Sequence, residues 1–260
     1  MFSKEKRVIY QNNQLGEVIC QLRFPEILSI ETDIPAKFQE EIRDSFPRYQ
    51  LRREKSAPKV TGVPGNLQMR QEENNNYMFS TDDGMWRVNL TSKFISLSTS
   101  SYHNWEEFAA MLDKPLVAFI RTYRPACFDR VGLRYLNFIS RSKLDLRDTP
   151  FQELIQPPYL GILGIENLAE SAVNRCGMDA ELAISGGCHL KLHAGPGKVS
   201  IGGNQDDEIK FILDLDLFMT TKVPVNYSAG ALETLHSQSY SIFRSAITDT
   251  LHDAMHPINP

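Results

Sequence analysis

No stretch of this 260-residue sequence stays apolar for the roughly 18–20 residues that a membrane-spanning helix requires. The opening segment MFSKEKRVIYQNNQLG has no apolar core of the kind a secretory leader carries. The expectation is a cytoplasmic protein with no membrane partner. Cysteine is scarce: Cys20, Cys127, Cys176 and Cys188 are widely scattered, with no C-x-x-C spacing, which argues against a disulfide framework and a thiolate zinc site. In a reducing compartment they read as free thiols, mostly buried as small hydrophobes. Positive charge is not in excess, since 28 Lys and Arg stand against 32 Asp and Glu for a net charge of -4. No global field therefore draws a phosphate backbone, and nucleic acid is not the favoured partner. Catalytic signatures are missing too: there is no G-x-S-x-G elbow, no dinucleotide fingerprint and no phosphate-binding loop spacing. A non-enzyme is the favoured class, and no cofactor is expected.

What is present is an ordinary globular composition, 42% hydrophobic and 23% charged. In GEVICQLRFP, Val18, Cys20, Leu22 and Phe24 alternate with mostly polar residues until Pro25 stops the run, the pattern of a strand with one buried face. DIPAKFQEEIRDSFPRY places Phe38, Ile42 and Phe46 on one helical stripe, with Asp33 as N-cap and Pro35 in the first turn. Apolar alternation between residues 66 and 102 is punctuated by ENNN, DDG and TSK, which predicts successive hairpins, with Asp83-Gly84 the sharpest turn. NWEEFAAMLDKPLVAFIRTY is a helix capped by Asn104, and Pro115 predicts a kink or break near residue 114.

The second half repeats this order. FDRVGLRYLNFIS is a strand, TPFQELIQ and IENLAESAV give short helical pieces, and GMDAELAIS, CHLKLHA, KVSIGG and EIKFILDLDLFM are strands. A long closing helix follows from residue 228, with Leu235, Ile242, Phe243, Ala246, Ile247, Leu251 and Ala254 as its apolar stripe. The expected fold class is α+β: two pseudo-repeats of strand, helix, antiparallel strands and long helix, forming one sheet-rich unit with helices on one face. The halves are 1–124 and 125–260, and no Pro- or Gly-rich linker near residue 125 separates them, so residues 1–260 read as one integrated unit. This plan leaves the opposite sheet face, or a groove between the halves, available to a partner.

GEVICQLRFP, RVGLRYLNFI (Arg130 to Ile139), FILDLDLF (Phe211 to Phe218) and FRSAITDTLHDAM together resemble a sporadically distributed prokaryotic family of functionally uncharacterised proteins of about this length, whose genes often lie in variable or mobile regions. The resemblance covers nearly the whole chain, but its motifs are strand and helix patterns and bring no catalytic residues with them. It implies an accessory part in defence, toxin–antitoxin or other mobile-element biology, acting by binding another protein.

Four clusters invite a chemical reading. In CHLKLHAGPGKVSIGG, strand parity puts His189, Lys191 and His193 on one face and Cys188, Leu190 and Leu192 on the other. Together with Asp214 and Asp216, about 6–7 Å apart on one face of LDLDLF by strand geometry, His189 and His193 form the candidate metal set of a metal-assisted hydrolase. Against that, Lys191 sits between the imidazoles, and Arg134 is placed to form a cross-sheet ion pair with Asp214 or Asp216. Gly-Pro-Gly at 195–197 reads as a hairpin loop. His252 and His256 have zinc-helix spacing without the glutamate of H-E-x-x-H, and a solvated terminal pair is the simpler reading. The basic cluster Arg48, Arg52, Arg53 and Lys55, with Tyr77, Phe79 and Trp86, is the candidate surface for single-stranded nucleic acid. The favoured partner is a protein, a neighbouring gene's product being the first candidate, bound through an exposed sheet face or edge; self-association is a further expectation, and a ligand or nucleic acid in the groove between the halves is the alternative.

Overall fold

The computed structural model of the chain describes residues 2–55, 59–63, 66–70, 73–201 and 204–259. Nine strands form one antiparallel sheet. In chain order they are β1 (Leu15–Arg23), β2 (Arg48–Lys55), β3 (Glu73–Ser80), β4 (Trp86–Leu90), β5 (Phe94–Thr99), β6 (Arg130–Ile139), β7 (Met178–Ala183), β8 (His189–Gly197) and β9 (Lys210–Met219). Across the sheet the order is β7-β8-β9-β6-β1-β5-β4-β3-β2. The opening strands of the two halves, β1 and β6, pair at the centre. Outward from β1 come β5, β4 and β3, and outward from β6 come β9, β8 and β7, so each half runs through its strands in the same backward order. The fold is α+β as expected, with β2 as an added edge strand in the first half.

One ladder shows why these residues form this sheet. Tyr49, Phe79, Val88, Leu97 and Cys20 lie opposite one another across the first half, and Leu133, Leu217, Leu190 and Leu182 continue the row across the second. Period-two alternation puts the whole row on one face. Val88, Leu97, Cys20, Leu133 and Leu217 are fully buried, each leucine stabilising the fold by about 1.5–3 kcal/mol. Helices cover this face: α1 (Leu28–Thr32), α2 (Ala36–Ile42) and α3 (Trp105–Tyr123) in the first half, and α4 (Phe151–Leu154), α5 (Pro157–Leu160), α6 (Ser228–Ala246) and α7 (Asp249–Ala254) in the second. Helix α3 contributes Phe108, Leu112, Leu116 and Phe119 to the core, α6 packs on β6 and β9, and Phe38, Ile42 and Phe46 are buried as their spacing predicts.

The structure departs from the sequence reading in several places. Gly195-Pro196-Gly197 is not a loop: β8 runs through it, paired with Ile212, Phe211 and Lys210 of β9. Strand β7 reaches only as far as Met178 opposite Ala194, so Pro196 lies beyond the end of that neighbour, where its missing N–H breaks no ladder bond on that side. At Gly195 the chain crosses so closely that a Cβ would sit 2.7 Å from the Cys176 carbonyl oxygen. Glycine there answers a close backbone approach, not a turn. The expected strand KVSIGG is reduced to Ser200–Ile201, paired with Asn204–Gln205, and residues 202–203 lie outside the described residues.

ENNN likewise lies within β3, paired with β2; Asn75 is held by Glu31 of α1, whose carboxylate accepts the Asn75 N–H at 2.9 Å. Helix α3 continues through Pro115, because the apolar residues packed on either side of the proline hold the helix despite the lost hydrogen bond. Asn104 caps it as predicted, accepting the Glu107 N–H at 2.8 Å. Asp33 ends α1 and does not cap α2, whose N-cap is Pro35. The closing helix is two: Ile247 is extended and bridges to Ile155, and the Thr248 hydroxyl caps α7. The segment after α4 captures that backbone, with the Gln156 N–H bonded to the Ala246 carbonyl at 2.8 Å.

Candidate functional site

With helices on one face, the side chains of opposite parity form an open face on the other. A single row crosses it. From β2 through the first half the row reads Arg48, Ser80, Arg87, Ser98 and Ile19; it continues through the second half as Arg134, Asp216, Lys191 and Glu181.

The second-half part of this face is a lattice of charge pairs. Arg134 grips Asp214 with two bonds, Nε to Oδ1 at 2.8 Å and Nη2 to Oδ2 at 2.5 Å. Arg130 Nη2 bonds both oxygens of Asp216, at 2.8 and 2.9 Å. The hydrogen bond to Asp214 holds the Arg134 guanidinium above its ordinary pKa. Further out, His193 Nδ1 lies 2.9 Å from Asp179 and Lys191 lies 3.7 Å from Glu181. Phe218 is sandwiched: the Arg130 guanidinium lies 4.6 Å from its ring centre, and the His189 ring stacks on it at 5.4 Å and 17°. Gly132, opposite Phe218, makes this arrangement sterically feasible, since a Cβ there would meet Arg130 Nη1 at 2.2 Å.

The four residues of the candidate metal set are therefore neighbours on two adjacent strands but are engaged elsewhere. Asp214 and Asp216 are bound by arginines, His193 by Asp179, and His189 by Phe218. Among the described residues no group of three His, Cys, Asp or Glu is arranged to hold a metal ion. The cross-sheet pair of Arg134 is with Asp214, the diagonal neighbour, although Asp216 is directly opposite. His252 and His256 do not share a helix face: His256 lies past the end of α7 with φ 53°, while His252 Nδ1 is 2.8 Å from the Tyr10 hydroxyl.

The first-half part of the face is different in kind. Its floor is small and polar, with Ser96, Ser98 and Asn76 buried among their neighbours. Above it stand Arg87 and, at the end of β1, the exposed Arg23, directly opposite Arg130. Neither Arg23 nor Arg87 has a carboxylate within 4 Å or a side-chain hydrogen bond among the described residues. Arg48, Arg52, Arg53 and Lys55 all lie on the exposed edge strand β2. Parity divides them, with Arg48 and Arg52 on the open face and Arg53 and Lys55 on the helix side. Arg48 reaches Asp82 at 2.7 Å and Lys55 reaches Glu73 at 3.6 Å. Tyr77, Phe79 and Trp86 are buried under the helices and do not line the surface that the basic cluster was expected to share with them. Arg23 and Arg87 escaped the sequence reading because each stands alone in an ordinary strand; their only signal was their position on the polar parity.

A second feature lies at the seam of the halves, on the helix side. A cavity of about 90 Å³ opens between the start of α3, the middle of α6 and the N-terminal segment. His236 of α6 forms part of its wall and is 6% exposed. Its ring stacks on Trp105 at 4.5 Å and 8°, and its Nδ1 is 2.9 Å from the Tyr135 hydroxyl. Burial pushes the imidazole pKa down to about 4, assisted by nearby Arg7. His236 carries no sequence signal beyond that of a lone histidine in a helical pattern. No protein-family model and no curated protein matches this sequence.

Proposed function

We propose that the chain is a binding protein, not an enzyme, and that the first-half part of its open face docks an acidic surface of a protein partner. The observation that supports this is the unequal use of charge: Asp214 and Asp216 in the second half are each bonded to an arginine, whereas Arg23 and Arg87 have no carboxylate within 4 Å among the described residues. Arginine is enriched at protein interfaces because its planar fork donates to carboxylates in pairs while its stem packs on apolar atoms. The aromatics that would stack on bases are on the covered face, which favours a protein over a single-stranded nucleic acid. An accessory part in defence or mobile-element biology, the role that the sequence resemblance implies, belongs to the same proposal.

Photo-crosslinking in the source cell tests it. A photoreactive residue at Asn89, beside Arg87, is expected to trap one discrete protein, and the adduct is expected to vanish when Arg23→Glu and Arg87→Glu are added. The same probe at Glu181, within the charge lattice, is expected to trap none. A nucleic-acid adduct at Asn89, no adduct, or an adduct indifferent to the charge reversals would overturn the reading.

A further inference from the structure

The cavity at the seam carries an inference of its own. Most polar groups around it are already committed. Asn13 donates to the Tyr102 carbonyl and accepts from the Leu15 N–H, Gln14 bonds the Asn12 carbonyl and the Ser140 N–H, and Tyr240 donates to the Lys6 carbonyl. Arg7 is ion-paired with Glu106. Two groups on one face of α6, a turn apart, are not committed. Among the described residues, His236 Nε2 is buried without a partner and the Ser239 hydroxyl makes no hydrogen bond. Whichever tautomer His236 adopts, its Nδ1 is taken by Tyr135 and one bond at Nε2 is left unmade. A buried polar atom in that condition costs about 1–3 kcal/mol.

The remaining wall is apolar or aromatic, with Ile9, Leu15, Leu215, Phe243 and Met255 among its residues. It also presents no free charge. The Arg7 charge is met by Glu106, the buried imidazole is neutral at physiological pH, and burial raises the Tyr102 and Tyr135 hydroxyl pKa values, keeping both protonated. The segment Ser3–Gln11 passes along α6 as a cover held along its length, by the Ser3 N–H to the Ser241 carbonyl, Glu5 to Arg244, the Lys6 carbonyl to the Tyr240 hydroxyl, Arg7 to Glu106 and the pairing of Ile9–Tyr10 with Pro257–Ile258.

We propose that this cavity binds a small, uncharged, mainly apolar molecule of about the size of phenol, with the Ser239 hydroxyl and the His236 imidazole as its polar contacts and Ser3–Gln11 as its cover. An apolar enclosure with a few convergent polar groups is how small-ligand sites are built. Its position between the halves means that an occupant touches α6 and β6 of one and the start of α3 of the other. A neutral ligand matches the wall, whereas a carboxylate would be desolvated without a counter-charge.

Side-chain NMR of the full chain, labelled at histidine, tests the assignment with phenol, benzene and benzoate as probes. Phenol is expected to shift the His236 resonances saturably and to protect Ser3–Gln11 amides from exchange. Benzene is expected to bind about fivefold more weakly for want of the hydrogen bond, and benzoate at least about tenfold more weakly. Ser239→Leu, which fills the space, is expected to abolish the phenol shift; if that variant does not fold, Ser239→Ala is expected to weaken phenol to the level of benzene. Absence of a saturable shift at His236, equal binding of benzoate, or undiminished binding in both Ser239 variants would overturn the proposal. Solvent water alone exchanging with the cavity would do the same.

Discussion

The two halves of the open face share one sheet and one direction of side chains yet treat charge in opposite ways. On β6 and β9 every guanidinium has a carboxylate within bonding distance, at Arg130–Asp216 and Arg134–Asp214. On β1, at the centre, and β4, two strands further out, Arg23 and Arg87 have no carboxylate within 4 Å among the described residues. A bonded ladder is self-satisfied, because pairing removes the electrostatic demand of both members and orders them. An unpaired arginine over serines and asparagines keeps its donors for something else. Strand order alone does not create that difference, since both halves run through their strands in the same sequence; the residues placed on the polar parity do.

The largest expected effect tests whether the halves stand or fall together. Leu97→Ala and Leu217→Ala remove side chains from the same core row on opposite sides of the seam, and each is expected to cost about 2–5 kcal/mol. Both variants are expected to melt in one calorimetric transition; a split transition in either would mean that the halves unfold separately. Next comes the seam. Burial holds the folded-state pKa of His236 at about 4, below its ordinary value of 6.5. The unfolded chain therefore binds a proton that the folded chain refuses, and stability present above pH 6.5 is lost as pH falls towards 4. The loss is about 3 kcal/mol at most. Urea unfolding between pH 7 and 4 measures it, and His236→Gln is expected to flatten that part of the profile.

Smaller effects distinguish the two open-face regions directly. A double-mutant cycle of Arg134→Ala with Asp214→Asn is expected to give a coupling near 1 kcal/mol, an intermediate value because the pair is neither buried nor fully exposed. Arg87→Ala is expected to change stability by less than about 0.5 kcal/mol, because its side chain makes no hydrogen bond or ion pair among the described residues. A coupling near zero in the cycle, or a large loss from Arg87→Ala, would erase the contrast between the halves.

Much of the architecture could be read from spacing. Alternation in GEVICQLRFP and LDLDLF placed the buried parity of β1 and β9 correctly, the Asn104 cap is where its spacing puts it, and the repeated order of elements reappears as the order of strands in the sheet. Where the reading failed, a distant segment had intervened. Gly195 looked like a turn because a glycine next to a proline usually is one, but the reason for it is the chain at Cys176, far away in sequence. Pro115 looked like a break because the packing that carries α3 through it comes from other elements. The end of α6 is set by the strand-like contact of Ile155.

The amino-acid sequence by itself determined the local matters: which residues of each strand turn inward, where several helices begin, and the scarcity of cysteine and absence of catalytic signatures that shaped the functional expectation. These follow from periods of two and 3.6 and from side-chain chemistry, and they need no knowledge of neighbours. Only the tertiary structure decided which charges meet. It gave Asp214 to Arg134 and Asp216 to Arg130, left Arg23 and Arg87 without a carboxylate within 4 Å among the described residues, and buried His236 between the halves. Hydrogen bonds reach about 3 Å whereas these partners are separated by tens of residues along the chain, so pairing is a property of strand order and register.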